Sequence, residues 1–376
     1  MKLHDFKLEV FFGKYEFTAP YLLSQSDCET MSVSALLSLE PGAETEFLHE
    51  RLGYTEVTGN PELRQAISRL YTGQRPENII VHTGAQEAIF NFMNTFLDKG
   101  DHVISQFPIY QSIYSVAEDI GCEVSRWEIK QDEQGWHMAI DELESLITPQ
   151  TKLLCINNPN NPTGFIFSEG EMRKIAETAD RHGLFVFCDE VYKGLELDNV
   201  KRPWFADIYD RSLSLGVMSK AYGLPGLRIG WTATKDRKIL DGLTKMKHFT
   251  SICNSSTSEF LSIVALKHGE AILEKNKKII ERNLKTSDRF FEKYKTLFRY
   301  NRQMAGPVAF HETKIRTPMA ELSEDLVRKS GVLLLPSTVY DYPHQYFRMG
   351  YGRSNFAENL KILERYLETT HLNLKR

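Results

Sequence analysis

The sequence predicts an α/β fold in two parts, a large domain built on a mostly parallel sheet covered by helices and a smaller α+β domain. Three observations carry this. From about residue 78, short apolar runs alternate with stretches of helical period, the pattern of a sheet buried on both faces. The chain has 376 residues, more than one compact core usually holds. The sharpest clusters of polar residues and glycines fall just after the apolar runs, where open sheets of this kind gather their ligands. The expected boundaries are 45–265 for the large domain, with 1–44 and 266–376 forming the small one.

Residues 78–81 read as a strand that feeds a helix carrying Ile89, Phe92, Met93 and Phe96. Val103 and Ile104 mark a second apolar run, and 152–156 a third. The helix of Met172, Ile175, Ala176 and Ala179 leads to a strand at 184–188, and runs at 212–218 and 228–232 complete the set. Residues 265–300 predict one long amphipathic helix, with Ile280, Leu284, Phe291, Tyr294 and Phe298 near helical spacing. Its Lys275, Lys277 and Lys278 read as a solvated face. Strand-like runs follow at 308–310, 332–335 and 346–349. A last helix begins near Ser354 as N-cap and carries Leu360, Ile362, Leu363, Tyr366 and Leu367.

Composition narrows the function. The formal net charge of −4 favours neither a nucleic-acid polyanion nor an anionic membrane surface. No segment has the apolar length a bilayer or a secretory signal requires, which points to a cytoplasmic protein. The five cysteines are odd in number and far apart with no CxxC pair, so free thiols are expected and a zinc site is not.

The chemistry concentrates at the run ends. Lys220 is followed by a turn fixed by Gly223, Pro225 and Gly226, and eight residues later by Arg228. A lysine condenses with an aldehyde cofactor only when its amine is partly neutral, a condition that desolvation and nearby positive charge promote. Arg228 offers the paired donors of a phosphate fork, with an acidic neighbour as the alternative partner. Gly84, Ala85 and Gln86, between a strand and a helix, are a second phosphate candidate through backbone N–H groups, although an ordinary strand-to-helix turn looks the same. Asp189 ends a buried-looking strand, where a carboxylate needs a partner such as a protonated pyridine nitrogen. Tyr192 and Asn161 suit the ring's phenolic oxygen, and Tyr110 suits ring stacking. Arg348 lies within an apolar strand, an expensive place for a guanidinium unless it grips an anion; an α-carboxylate and an internal salt bridge are the two candidates. Together these residues describe a pocket for pyridoxal phosphate.

With those residues assembled, the chain resembles the class I/II aminotransferases of the fold-type I pyridoxal-phosphate enzymes, from about residue 50 to 355. Asn161 matches the family's Asn-Pro-Thr-Gly asparagine, Asp189 and Tyr192 its Asp-x-x-Tyr pair, Lys220 its Schiff-base lysine preceded by Ser219, Arg228 its phosphate arginine and Arg348 its carboxylate arginine. The resemblance implies a seven-stranded sheet and transfer of an amino group between an L-amino acid and a 2-oxo acid. It implies passage through a pyridoxamine phosphate form, with Lys220, Asp189 and Tyr192 as catalytic residues. It also implies a homodimer in which Tyr54 reaches the neighbouring site. Two departures stand out. Val217 occupies the place of a phosphate-binding hydroxyl, at a cost of about 1 kcal/mol, and no second arginine for a dicarboxylate is evident near Lys247, His248 and Asn254. The stretch around Lys220 is also similar to that of capreomycidine synthase-like enzymes, which makes a lyase or cyclase the alternative activity. The N-terminal segment 14–21 is a candidate for closing over the substrate.

Overall fold

In a computed structural model, which describes residues 2–342 and 345–370, the large sheet has seven strands. In chain order they are β1 (Ile79–His82), β2 (His102–Phe107), β3 (Glu123–Glu128), β4 (Thr151–Asn157), β5 (Phe185–Asp189), β6 (Ser212–Val217) and β7 (Gly230–Ala233). They lie in the spatial order β1, β7, β6, β5, β4, β2, β3, and only β7 runs against its neighbours.

Alternation along the strands sorts side chains between two cores, as a period of two requires. Leu153, Cys155, Phe185 and Phe187 face one cluster, while Leu154, Ile156, Val186 and Cys188 face another. Because both faces are covered, the central strands read as continuous apolar runs. The edge strand β3 does not: of its six residues only Trp127 is buried, so its charged sequence carried no strand signal. The helix α1 (Lys7–Tyr15) and the helix Ser112–Ile120 were likewise not read from the sequence.

Helix α2 (Gly84–Phe96) buries Ala88, Ile89, Phe92 and Met93 along one stripe, and the Phe92 ring stacks on Phe187 at 5.1 Å. Helix α3 (Glu169–Arg181) starts in a capping box, Ser168 accepting from the Glu171 amide while Glu171 reaches back, as Ser-x-x-Glu predicts.

The predicted helix at 265–300 is corrected. Two helices, Ser256–Lys267 and Gly269–Lys293, meet at His268, and Phe298 already lies in a strand, Phe298–Arg299. Its ring still packs on Phe290 and Phe291, at 6.1 and 5.9 Å, which prolonged the apolar period beyond the helix. Lys277 is buried and donates to Asn199, not solvated, whereas Lys278 pairs with Glu274 on the surface. The last helix is Phe356–Thr369 with Asn355 at its N-cap position; Ser354 does not cap it, its amide donating to Glu29 instead.

A second, antiparallel sheet joins Phe298–Arg299, Val308–Thr313, Tyr346–Gly350 and Leu335–Pro336 in that order. The N-terminal segment threads against it. Tyr21–Leu22 pairs in parallel with Val332–Leu333, and the Gly350 amide donates to the Leu23 carbonyl at 2.7 Å. Farther along, the Cys28 amide donates to the Lys220 carbonyl at 3.3 Å. Residues 21–28 thus run from the small sheet to the end of the large one.

Candidate active site

Six strands of the large sheet point the same way, and the carboxyl ends of five deliver the loops predicted to carry chemistry: β1 leads to Gly84, β2 to Tyr110, β4 to Asn161, β5 to Asp189 and β6 to Lys220. The reversed strand β7 begins at that same end, so Arg228, two residues before it, arrives there too. A cavity of about 490 Å³ opens at this edge. Its lining includes Ala85, Gln86, Tyr110, Asn161, Asp189, Tyr192, Ser219, Lys220, Arg228 and Arg348.

The Lys220 Nζ donates to Ser26 Oγ at 2.8 Å. Burial pushes its pKa down, Asp27 opposes this and the Arg348 guanidinium adds to it. The positive charge expected from Arg228 is therefore supplied in good part by Arg348. Asp189 is 4% exposed; one oxygen accepts from the Val191 amide at 3.2 Å, and the other has no hydrogen-bond partner among the described residues. A nearly dry carboxylate with an open oxygen suits a cationic ring nitrogen, and the residues fit pyridoxal phosphate on that observation.

Burial raises the Asp189 carboxyl from 3.8 to about 7. With the folded value raised, ionising this group costs stability as pH climbs from about 4, and the cost is complete above about 7. Asp189→Asn should therefore stabilise the cofactor-free protein at pH 8, by on the order of 2–4 kcal/mol at about 1.4 kcal/mol per unit. The gain should narrow as pH falls toward 5. Denaturant melts of both proteins at the two pH values check this, and a less stable variant at pH 8 would contradict it.

Arg348 is 1% exposed and spends its donors on neutral acceptors. Nε and one terminal nitrogen donate to the Ser24 carbonyl at 3.2 and 2.5 Å, and the other nitrogen donates to Asn161 Oδ1 at 3.0 Å and to the Tyr340 hydroxyl at 2.6 Å. No carboxylate pairs with it among the described residues, so the internal salt bridge is not what holds it. A buried guanidinium without an anion leaves its charge uncompensated until one binds. The Tyr340 hydroxyl in turn donates to Asn161 Oδ1 at 2.8 Å. With that oxygen engaged, the Asn161 amide nitrogen is the group left for the cavity. The loop is locked from below, the Asn161 backbone N–H donating to Asn157 Oδ1 at 2.6 Å.

On the phosphate side, Gly84 adopts φ +79, and a Cβ there would lie 2.4 Å from an Arg228 nitrogen. Glycine is required twice over, for its left-handed backbone and for the arginine's approach. Gly84 itself does not line the cavity; it makes room for the group that does. Val217 lines it without a hydroxyl, as its sequence position implied. Gly84→Ala should displace Arg228 and weaken cofactor affinity at least about tenfold, the loss of one charge-assisted contact; fluorescence titration of the cofactor-free protein measures it, and unchanged affinity would contradict the assignment.

Tyr54 is not brought into this site; it is 90% exposed on the surface of the chain. Tyr110, expected to stack on the cofactor ring, lines the cavity; its hydroxyl donates to Glu9 at 3.3 Å and its ring meets Phe6 at 5.1 Å. Sequence reasoning missed Tyr340, Ser24 and Ser26. It also missed the helix α1, which lines the cavity through Leu8, Glu9 and Phe12, although the N-terminal region was expected near the substrate.

A mostly parallel sheet whose strand ends converge a desolvated lysine, an aspartate with an open oxygen and a buried arginine without a carboxylate partner among the described residues defines a pyridoxal-phosphate-dependent enzyme. Comparison with known proteins gives the family. The family model for class I and II aminotransferases matches residues 23–365, and the chain belongs to that family. It is 25% identical to an aspartate aminotransferase of Thermotoga maritima over 84% of this chain and 81% of that one. The structure of a PLP-dependent aminotransferase from Streptococcus suis superposes with a TM-score of 0.91 at 31% identity, covering 98% of both chains. A PLP-dependent cyclase, OrfR, shares the fold with a TM-score of 0.90 at 23% identity over 98% of both.

Proposed function

We propose that this protein moves an amino group between an L-amino acid and a 2-oxo acid. The observation that carries the reading is Arg348: a buried cation with no anionic partner among the described residues, in the same cavity as a desolvated lysine. An amino acid's α-carboxylate supplies the missing negative charge through a charge-assisted hydrogen bond to the donor that Ser24, Asn161 and Tyr340 leave free.

When bound, pyridoxal phosphate supplies an electron sink for the negative charge that develops at the substrate Cα. The chain's residues do the rest. Arg228, with the N–H groups of Ala85 and Gln86 at the start of α2, holds the phosphate, Asp189 the ring nitrogen, and Tyr192 with the Asn161 amide the phenolic oxygen. Lys220, once free, takes the Cα proton as general base, since burial favours its neutral form. Asn161 joins the two halves of the site, because its side-chain oxygen fixes Arg348 while its nitrogen faces the cofactor.

The test is transfer of ¹⁵N from labelled L-amino acids to added 2-oxo acids. Label appearing in a new amino acid supports the reading; ammonia released without transfer favours a lyase, and rearranged donor favours a cyclase.

A homodimer belongs to the same proposal. Leu48, Leu52, Tyr54 and Phe249 are each more than 75% exposed, an unusual cost for a monomer and a natural surface for a second copy. A monomeric mass by light scattering would count against it. We also propose a cytoplasmic location, supported by five free cysteines and by the finding that no helix among the described residues is long and apolar enough to cross a membrane. The division into 45–265 against 1–44 with 266–376 is supported by the two sheets, which fall at 79–233 and 298–350.

A further inference from the structure

The cavity is rich in carboxylates. Its lining contains four carboxylates, Glu9, Glu16, Asp27 and Asp189, against three cations, Lys220, Arg228 and Arg348. Each cation has a role toward cofactor or α-carboxylate, and Asp189 has the ring nitrogen. Asp27 is held by Arg353 at 2.7 Å. Neither Glu9 nor Glu16 forms an ion pair among the described residues, and the one cation that acts on both at longer range is Lys220, whose amine is committed to the cofactor; Glu9 accepts from the neutral Tyr110 hydroxyl.

Their placement follows from the helix. Glu9, Phe12 and Glu16 are spaced three and four apart, and Glu16 at the end of α1 keeps helical angles of φ −59 and ψ −38, so all three share one face. Phe6, Leu8 and Phe12 line the same cavity. The wall thus offers apolar surface for an aliphatic stem and carboxylates for its head, the pairing that long basic side chains satisfy. Burial first, then the nearby charges of Glu9 and Asp27, raise the proton affinity of Glu16, and the Lys220 amine and Gln25 only partly oppose them. The carboxylates do not stand alone as a site. Arg348, 1% exposed and without an anion, and the open oxygen of Asp189, 4% exposed, mark the same cavity as built for a ligand.

We propose that the amino donor carries a cationic side chain, an amine or a guanidine, and that Glu9 and Glu16 recognise it. This rests on the aminotransferase reading. It departs from a dicarboxylic donor, whose second carboxylate would meet like charges here.

Two measurements test it. In the holoenzyme, kcat/KM for L-lysine or L-arginine should exceed that for L-norleucine at least tenfold, with L-aspartate below both. In Glu9→Gln/Glu16→Gln that ratio should fall toward one. Independently of turnover, calorimetry on the holoenzyme should find 6-aminohexanoate binding at least tenfold tighter than hexanoate. L-Norleucine or L-aspartate preferred, equal binding of the two acids, or a ratio unmoved by the double substitution would each overturn the proposal. Should no amino acid of any class react, the aminotransferase reading fails while the binding comparison still decides this one; should neutral donors react best, the reverse holds. If the double variant does not fold, the wild-type comparisons suffice.

Discussion

Lys220→Ala should lower turnover by at least about 10³-fold, within the range that loss of a general acid–base group produces. The same substitution should abolish covalent attachment of the cofactor. Both effects follow from one side chain, because Lys220 is the lysine that lines the cavity and its amine is placed by Ser26 and lowered by burial. Borohydride reduction followed by peptide mapping reads the attachment directly: wild type should carry the cofactor mass on Lys220, the variant nowhere. The fold should be indifferent, since the Nζ has a single hydrogen bond to lose, a change of about 1 kcal/mol. Turnover surviving in a folded Lys220→Ala protein would remove the lysine from the mechanism.

Arg348→Met should produce the second large effect, a fall in kcat/KM of roughly 10²–10³, from truncating a buried hydrogen-bonded charge partner worth about 3–4 kcal/mol. Stability should respond differently. Breaking a buried ion pair costs about 3–5 kcal/mol, but Arg348 makes no such pair among the described residues. Tyr340 and Asn161 keep their own bond at 2.8 Å, and mainly the Ser24 carbonyl loses its donors. A loss of only about 1 kcal/mol is expected in the cofactor-free protein. Activity measured against denaturant melts separates the two. A melt displaced by a full ion-pair's worth would mean that Arg348 is structural.

What was legible in the sequence was short-range. Asn161, Asp189, Lys220 and Arg228 each lie within a few residues of a strand boundary, so the apolar run announces the position and the residue type announces the chemistry. Arg348 announced itself because a guanidinium inside the run 346–349 is costly. The fold followed where strands are buried on both faces and failed where they are not: β3, with Glu123, Arg126 and Glu128 among its six residues, left no trace. Phe298 misled because a strand residue packed on Phe290 and Phe291 keeps a helix's spacing.

The residues that surround the substrate came from elsewhere. Ser24 and Ser26 belong to a segment that pairs with Val332–Leu333 and then crosses to Lys220, a contact nearly two hundred residues apart in the chain. Tyr340 meets Asn161 from the far side of the chain. Glu9 and Glu16 face the site only because α1 lies across it. Nothing in their local sequence marks these positions, since each is set by tertiary packing and not by the strand that precedes it.

The central claim is that Lys220 and Arg348 act together on an amino acid through a cofactor that must be regenerated by a second substrate. Holoenzyme mixed with a panel of L-amino acids, without any 2-oxo acid, tests it by stoichiometry. One equivalent of 2-oxo acid per active site should appear with no free ammonia, and turnover should resume only when a second 2-oxo acid is added. Continuous product formation without an acceptor, or ammonia released in step with the 2-oxo acid, would contradict the account.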